Sequence, residues 1–157
     1  MVDPAEIISA LVDLLRDIPD LVEAVGGDEA KIYAYKDRYP KNVSLELAIY
    51  QMPAPGVMVA FQGTEPTASG GFQVWQHRIS IFCRAGEDSG DDTPSGYYRL
   101  FRLIVKGKPT SLGQEMQYVT VHPSCDPMET PSMGRQSDAN AVDYFEVPMS
   151  FKETGDD

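Results

Sequence analysis

Phe72-Gln73-Val74-Trp75-Gln76-His77-Arg78-Ile79-Ser80-Ile81-Phe82-Cys83-Arg84 alternates over most of its length. Trp75, His77, Ile79, Ile81 and Cys83 share one parity, and Gln76, Arg78, Ser80 and Arg84 share the other. Successive strand side chains point to opposite faces, so the run predicts a long strand with one buried face and one wet face. Phe82 interrupts the wet parity near the end. An acidic Gly/Asp loop, Gly86 to Asp92, comes next, and then a basic helix. Strands predicted on both sides put this strand–loop–helix unit at the centre of the fold.

Toward the N-terminus, Asp3-Pro4-Ala5-Glu6 is a helix start. Asp3 suits the cap, Pro4 the first helical position, and Glu6 the place of a capping-box acid. Ile7, Leu11, Leu14 and Ile18, joined by Ile8, Val12 and Leu15, make a wide apolar stripe opposite Glu6, Asp13, Asp17 and Asp20. Pro19 ends or kinks this helix, and a further turn or two from Asp20 to Val25 stops at Gly26-Gly27. Lys31 to Tyr35 reads as a short strand and Asp37 to Asn42 as a turn or loop around Pro40. Val43, Leu45, Leu47 and Ile49 alternate, which predicts a strand over Val43 to Tyr50. Pro53-Ala54-Pro55-Gly56 is a turn before a short strand, Val57 to Gln62. Gly63 to Gly71 lacks apolar periodicity and is expected to form a mobile hairpin arm.

Beyond the acidic loop, Thr93-Pro94 opens the second helix. Tyr97, Leu100, Phe101, Ile104 and Val105 face inward, Arg99, Arg102 and Lys106 face out, and Gly107 and Pro109 stop it. Met116 to His122 is a strand, Pro123 to Asn140 a long loop, and Ala141 to Phe151 the last strand. Phe145, Val147, Met149 and Phe151 form its buried face, and Pro148 on the other face favours an edge or a bulge. The expected fold is α+β: a mixed, mainly antiparallel sheet flanked by two helices, in the order α-β-β-β-β-α-β-β. It forms one domain over 1–157, with a helical region at 3–25, strands within 31–84, the second helix at 94–106 and the last two strands within 115–151 around the loop 123–140.

Composition narrows the function. The 157 residues are 42% apolar, enough for a core. No apolar run approaches the ~18 residues of a membrane span. The N-terminus has no basic cluster, so a secretory signal is not expected. Two cysteines, Cys83 and Cys125, make no disulfide framework, and a reducing compartment is the simpler setting. The net charge is −11, unevenly spread. Residues 1–30 hold eight acids against Arg16, whereas Arg99, Arg102, Lys106 and Lys108 form a basic block. Such a chain is a poor tight binder of nucleic acid. The same segregation would either steer like subunits together in a fixed orientation or simply solvate unrelated faces.

Catalytic motifs are sparse. There is no Walker-type loop, dinucleotide glycine fingerprint or His-Glu-x-x-His helix. His77 and His122 lie on different strands, and with Cys83 and Cys125 they show no local metal-ligand spacing. His77 sits in a buried-face series, where a hydrogen-bonded core histidine is the ordinary outcome. Glu87, Asp88, Asp91 and Asp92 lack the pattern of an EF-hand loop and suit the N-terminus of the following helix. No catalytic, cofactor or metal residue is assigned on these grounds.

The layout resembles the tail terminator, or tail completion, proteins of long-tailed bacteriophages, related to the neck proteins of lambda-like phages. The residues that carry the resemblance are the helix Asp3-Pro4-Ala5-Glu6-Ile7-Ile8 with its ending Arg16-Asp17-Ile18-Pro19-Asp20-Leu21-Val22, the strand Val74 to Arg84 with its Gly/Asp loop, the helix Tyr97 to Lys106, and the closing Tyr144-Phe145-Glu146-Val147. It spans most of the chain without a diagnostic motif. It implies a hexameric ring that caps the tail tube protein, meets a head-side connector and lets DNA pass through its lumen. It also implies a virion protein, assembled in the host cytoplasm, with no catalysis, cofactor or membrane. A head–tail connector or other neck ring is an alternative, as is a small ligand-binding domain or enzyme using His77 and His122. Arg99, Arg102, Lys106, Glu65, Thr67, Met128, Met133 and Arg135 are the candidate assembly contacts.

Overall fold

The computed structural model describes residues 3–69, 72–86, 94–106, 121–123, 132–133 and 144–154. The acidic loop after Gly86, the first part of the strand expected over Met116 to His122, and most of the loop expected over Pro123 to Asn140 lie outside them.

Helix α1, Pro4–Arg16, starts as its sequence predicts: Asp3 Oδ1 accepts the Ala5 amide at 3.0 Å. Ile7, Ile8, Leu11, Val12 and Leu15 are buried along one side. Each such side chain contributes about 1.5–3 kcal/mol relative to exposure. Pro19 breaks the helix and opens α2, Pro19–Ala24, where its missing N–H costs nothing. The amides of Gly26 and Gly27 then bond back to Glu23 and Val22 and close the helix end. Arg16 Nε donates to the carbonyls of Glu29 (3.1 Å) and Ile32 (2.9 Å), tying α1 to a short 3-10 turn, Glu29–Lys31.

Strand β1, Ile32–Ala34, is shorter than expected, because the chain turns into a helical turn, α3, over Tyr35–Arg38. The strand expected over Val43 to Tyr50 is a helix, α4, Leu45–Gln51. Ser44 caps it, its Oγ accepting the Leu47 amide at 3.2 Å. Leu45, Ala48, Ile49 and Met52 are the covered positions, a spacing of three and four, while Leu47 is exposed. This α3–α4 crossover lets β1 pair in parallel with β2, Gly56–Ser69.

Strand β2 runs through the segment expected to be an irregular arm, pairing antiparallel with β3, Phe72–Arg84, from Gly56↔Arg84 to Ser69↔Phe72. The expected mobility at Gly70-Gly71 concerns residues outside the description. A bulge shifts the register between Phe61 and Gly63. Gly63 has φ +134, a region favouring glycine. The parity of β2 inverts there: Val57, Val59 and Phe61 join one core, yet it is Thr64 that meets His77 on that same face.

Helix α5, Pro94–Lys106, buries Leu100, Phe101 and Ile104 and exposes Arg99, Arg102 and Lys106. The side chains of Tyr97 and Val105 are not among those described. Strands β4, Val121–Pro123, and β5, Ser132–Met133, both pair with β6, Phe145–Thr154. Because β3 occupies the other edge of β6, β4 and β5 lie end to end along one side of it. The sheet order is β1-β2-β3-β6-β4, with β5 also on β6. β6 is therefore not an edge strand. Pro148 pairs with Ser80 and sits between the stretches bonded to β5 and β4.

The architecture is α+β with a mixed sheet, as expected, but the element order differs. Among the described residues three strands rather than four precede α5, and helices cover both faces rather than two helices flanking the sheet. On one face α1, α2 and α5 enclose Ile32, Val57, Val59, Ile79, Ile81, Cys83 and the four odd residues of β6 from Phe145 to Phe151. On the other, α4 covers Met58, Ala60 and Phe82 at one end only. Phe82 breaks the wet parity of β3 because α4 lies over it.

Candidate assembly surfaces and the open sheet face

Past the end of α4, the second sheet face is uncovered among the described residues. A trough of about 340 Å³ lies there, lined by Gln62, Gln76, Arg78, Ser80, Glu146, Pro148, Met149 and Ser150. Its floor is a polar chain drawn from three strands. Gln62 Nε2 donates to Ser80 Oγ at 3.2 Å, and Ser80 Oγ donates to Glu146 Oε2 at 2.6 Å. One hydroxyl thus uses both its acceptor and its donor capacity, which suits a side chain only 3% exposed. Toward the hairpin end, Arg78 Nη2 meets Glu65 Oε1 at 3.1 Å, with both side chains about half exposed (51% and 54%).

Beside the trough, α4 presents Leu47 and Tyr50, each 47% exposed. Tyr50 packs edge-on against Tyr144 at 6.0 Å. The C-terminal end of α4 is fixed from β3, where Arg84 Nη1 donates to the carbonyls of Tyr50 (2.9 Å) and Met52 (3.1 Å). A tyrosine group closes the far side: the Tyr33 and Tyr39 hydroxyls are 3.2 Å apart, Tyr35 donates to the Val43 carbonyl, and Arg38 lies 4.7 Å over the Tyr33 ring. Burial, with the Tyr39 hydrogen bond, pushes the Tyr33 phenol well above its ordinary range.

The candidate contacts divide between the two sheet faces. Arg99, Arg102 and Lys106 form one exposed ridge on α5, over the first core. Glu65 lies on the opposite, trough-bearing face with Arg78. Thr67 is in β2, paired with Val74, and Met133 is in β5, paired with Phe145. Met128 and Arg135 lie outside the described residues. Reading Val43 to Tyr50 as a strand hid the Leu47–Tyr50 patch, whose signal was the Ser44 cap. The trough had no local signal, because Ser80 and Glu146 are far apart in the chain.

The histidine and cysteine of β3 serve the core. His77 is fully buried, and its Nδ1 is 2.8 Å from Thr64 Oγ1. Cys83 is on the same face of the same strand, six residues and so about 20 Å further along. That separation prevents a Cys83–His77 catalytic pair. Burial also pushes the Cys83 thiol well above its usual range, which leaves it protonated and unreactive. Among the described residues no group of three or more His, Cys, Asp or Glu is arranged to hold a metal ion. No described helix is long and apolar enough to cross a membrane.

Compared with known proteins, the chain matches no protein-family model, and no curated protein matches it significantly.

Proposed function

We propose that this chain is a structural protein of a long-tailed phage virion, a tail terminator whose copies form a hexameric ring on the end of the tail tube and join it to the head connector. The observation that carries the reading is the β2–β3 hairpin. Its pairing continues to Ser69↔Phe72, well past the last β1 contact at Val59, and Glu65 and Pro66 stand exposed on it. Strand β6 follows β3 as far as Val74↔Thr154, so the extension is part of the sheet, and beyond Val59 the outer edge of β2 has no partner strand among the described residues. Such an edge is suited to meet a neighbouring subunit or the tube. The charge of −11 fits a lumen that lets DNA slide rather than bind. In this reading the protein acts by assembly, without catalysis or cofactor.

The test is to mix the purified chain with assembled tail tubes, recover the tubes by sedimentation, and image their ends. Rings at tube ends, with six copies by native mass spectrometry, are the expected result. A chain that remains monomeric and unbound in the presence of tubes would sink the reading. Capture by the portal or adaptor instead of the tube would make it a head-side connector.

The trough favours a second reading, a small ligand-binding domain. Its Gln62–Ser80–Glu146 chain is the kind of fixed polar floor that orients a small polar molecule. Thermal-shift screening with amino acids, sugars and nucleotides tests it, and stabilisation abolished by Glu146→Gln is the expected sign.

A further inference from the structure

We infer that the basic ridge of α5 docks against the acidic surface of α1 and α2 on a second copy of this chain. The inference deepens the ring reading and rests on it for the number of copies, while its test needs only this chain.

Both surfaces belong to the helical layer on one face of the sheet, with α2 touching α1 on one side and α5 on the other. Arg99, Arg102 and Lys106 follow one another at three and four residues, so they stand in one exposed row. Helix α5 contains no acidic residue. Arg99 and Arg102 also interact within the chain, and docking adds to those contacts.

The complementary surface is predominantly acidic. Glu6, Asp13, Asp17, Asp20 and Glu23 are all exposed along α1 and α2. Of their basic neighbours, Arg16 is turned onto the carbonyls of Glu29 and Ile32, and Lys36 borders the same hollow as Asp13. Asp13 and Asp17 are four residues apart on one helical stretch, a like-charge spacing that destabilises the isolated helix. A cationic partner removes that repulsion.

The chemistry also selects which surfaces meet. Acid against acid and base against base both repel, so each contact sets the ridge of one copy on the acidic surface of the other. Made once per pair, such a contact is heterologous, repeats from copy to copy and closes into a ring when the rotation allows; made twice about a two-fold axis, it closes a dimer. The ring reading takes the first mode. Exposed charges attract weakly one by one, so the contact is expected to depend strongly on salt.

The experiment compares four full-length chains by sedimentation velocity at about 0.05 M and about 0.5 M salt, which bracket a Debye length of roughly 10 Å. They are the wild type, R99E/R102E, D13K/D17K and the variant carrying all four changes. The wild type should associate at low salt and dissociate at high salt. Each double variant should associate at least tenfold more weakly, an equimolar mixture of the two should co-assemble, and the fourfold variant should regain association. Circular dichroism melts establish that each is folded, and R99Q/R102Q stands in if a reversal unfolds the chain. Unchanged association in R99E/R102E overturns the inference, as does a wild type that stays monomeric at low salt at every concentration. Either result leaves the terminator reading to its own test with tubes.

Discussion

Ser80 Oγ lies 2.6 Å from Glu146 Oε2, a bond between neighbouring strands whose residues are 66 positions apart in sequence. It is charge-assisted, and it occupies a floor position where Ser80 has little access to water. Ser80→Ala should therefore cost about 1–2 kcal/mol, below the full worth of a buried charged bond because Glu146 is only half-buried. Glu146→Gln, which keeps an acceptor oxygen, should cost less. Urea unfolding midpoints of the two variants give the comparison, and equal midpoints with the wild type would show the bond to be idle.

Gly56 opens β2 immediately after the Pro53–Pro55 turn. A Cβ built there would lie 2.5 Å from the Pro53 carbonyl oxygen, a backbone atom that cannot rotate away. Gly56→Ala should lower stability by about 1–3 kcal/mol, the range of an overpacked core site. Thermal unfolding measures it, and a variant as stable as the parent would mean that the turn yields easily.

The Cys83 thiol is held protonated by burial, above its ordinary value of 9.0. In a Cys125→Ser background it should resist thiol reagents at pH 8 and react fully once denatured. The linkage has a definite sign. The unfolded thiol loses its proton first, so the contribution is intact below pH 9 and declines above it. The decline is at most about 1.4 kcal/mol per pH unit for one group. Tyr33, raised in the same direction, adds to the loss in stronger alkali. Unfolding curves from pH 8 to pH 11 for the parent and Cys83→Ala separate the thiol's share, which vanishes in the variant.

Ser44 caps α4 through the Leu47 amide at 3.2 Å. Ser44→Ala should cost about 1 kcal/mol, and Ser44→Asp should retain most of the stability. Hydrogen exchange should quicken at the α4 amides in the alanine variant while those of β3 stay protected. Uniform quickening across both elements would show that α4 does not open separately.

Features written in a few adjacent residues were legible. Asp3-Pro4, Pro19 and Pro94 mark helix starts, because caps and prolines act on the backbone beside them. The parity of β6 was equally clear, since Phe145, Val147, Met149 and Phe151 are all buried. Residues 43–51 failed because two patterns share members. Leu45 and Ile49 belong both to the alternating set and to the helical set with Ala48 and Met52. What separates the patterns is which residues the sheet covers, and the outward Leu47 is the one that decides.

The candidate surfaces follow the same division. The ridge Arg99, Arg102 and Lys106 was readable, because one helix carries all three. The Glu65–Arg78 pair and the Gln62–Ser80–Glu146 chain were not, since each joins different strands and the bulge displaces the register of β2 on β3. Nor did periodicity show that β2 reaches Ser69, as Gly63 and Pro66 are poor strand formers and the pairing with β3 outweighs them.

The single extra residue at the Phe61/Gly63 bulge also constrains how the gene can change. Beyond it, β2 is in the opposite phase, with Thr64 turned toward His77 and Glu65 toward Arg78. A one-codon deletion at Thr64 would turn the segment beyond it over and set the Glu65 carboxylate against the buried imidazole. A matched loss or gain of two residues on each strand would keep every side chain on its face and alter only the reach of the hairpin. Length variants of this hairpin should therefore come in even steps.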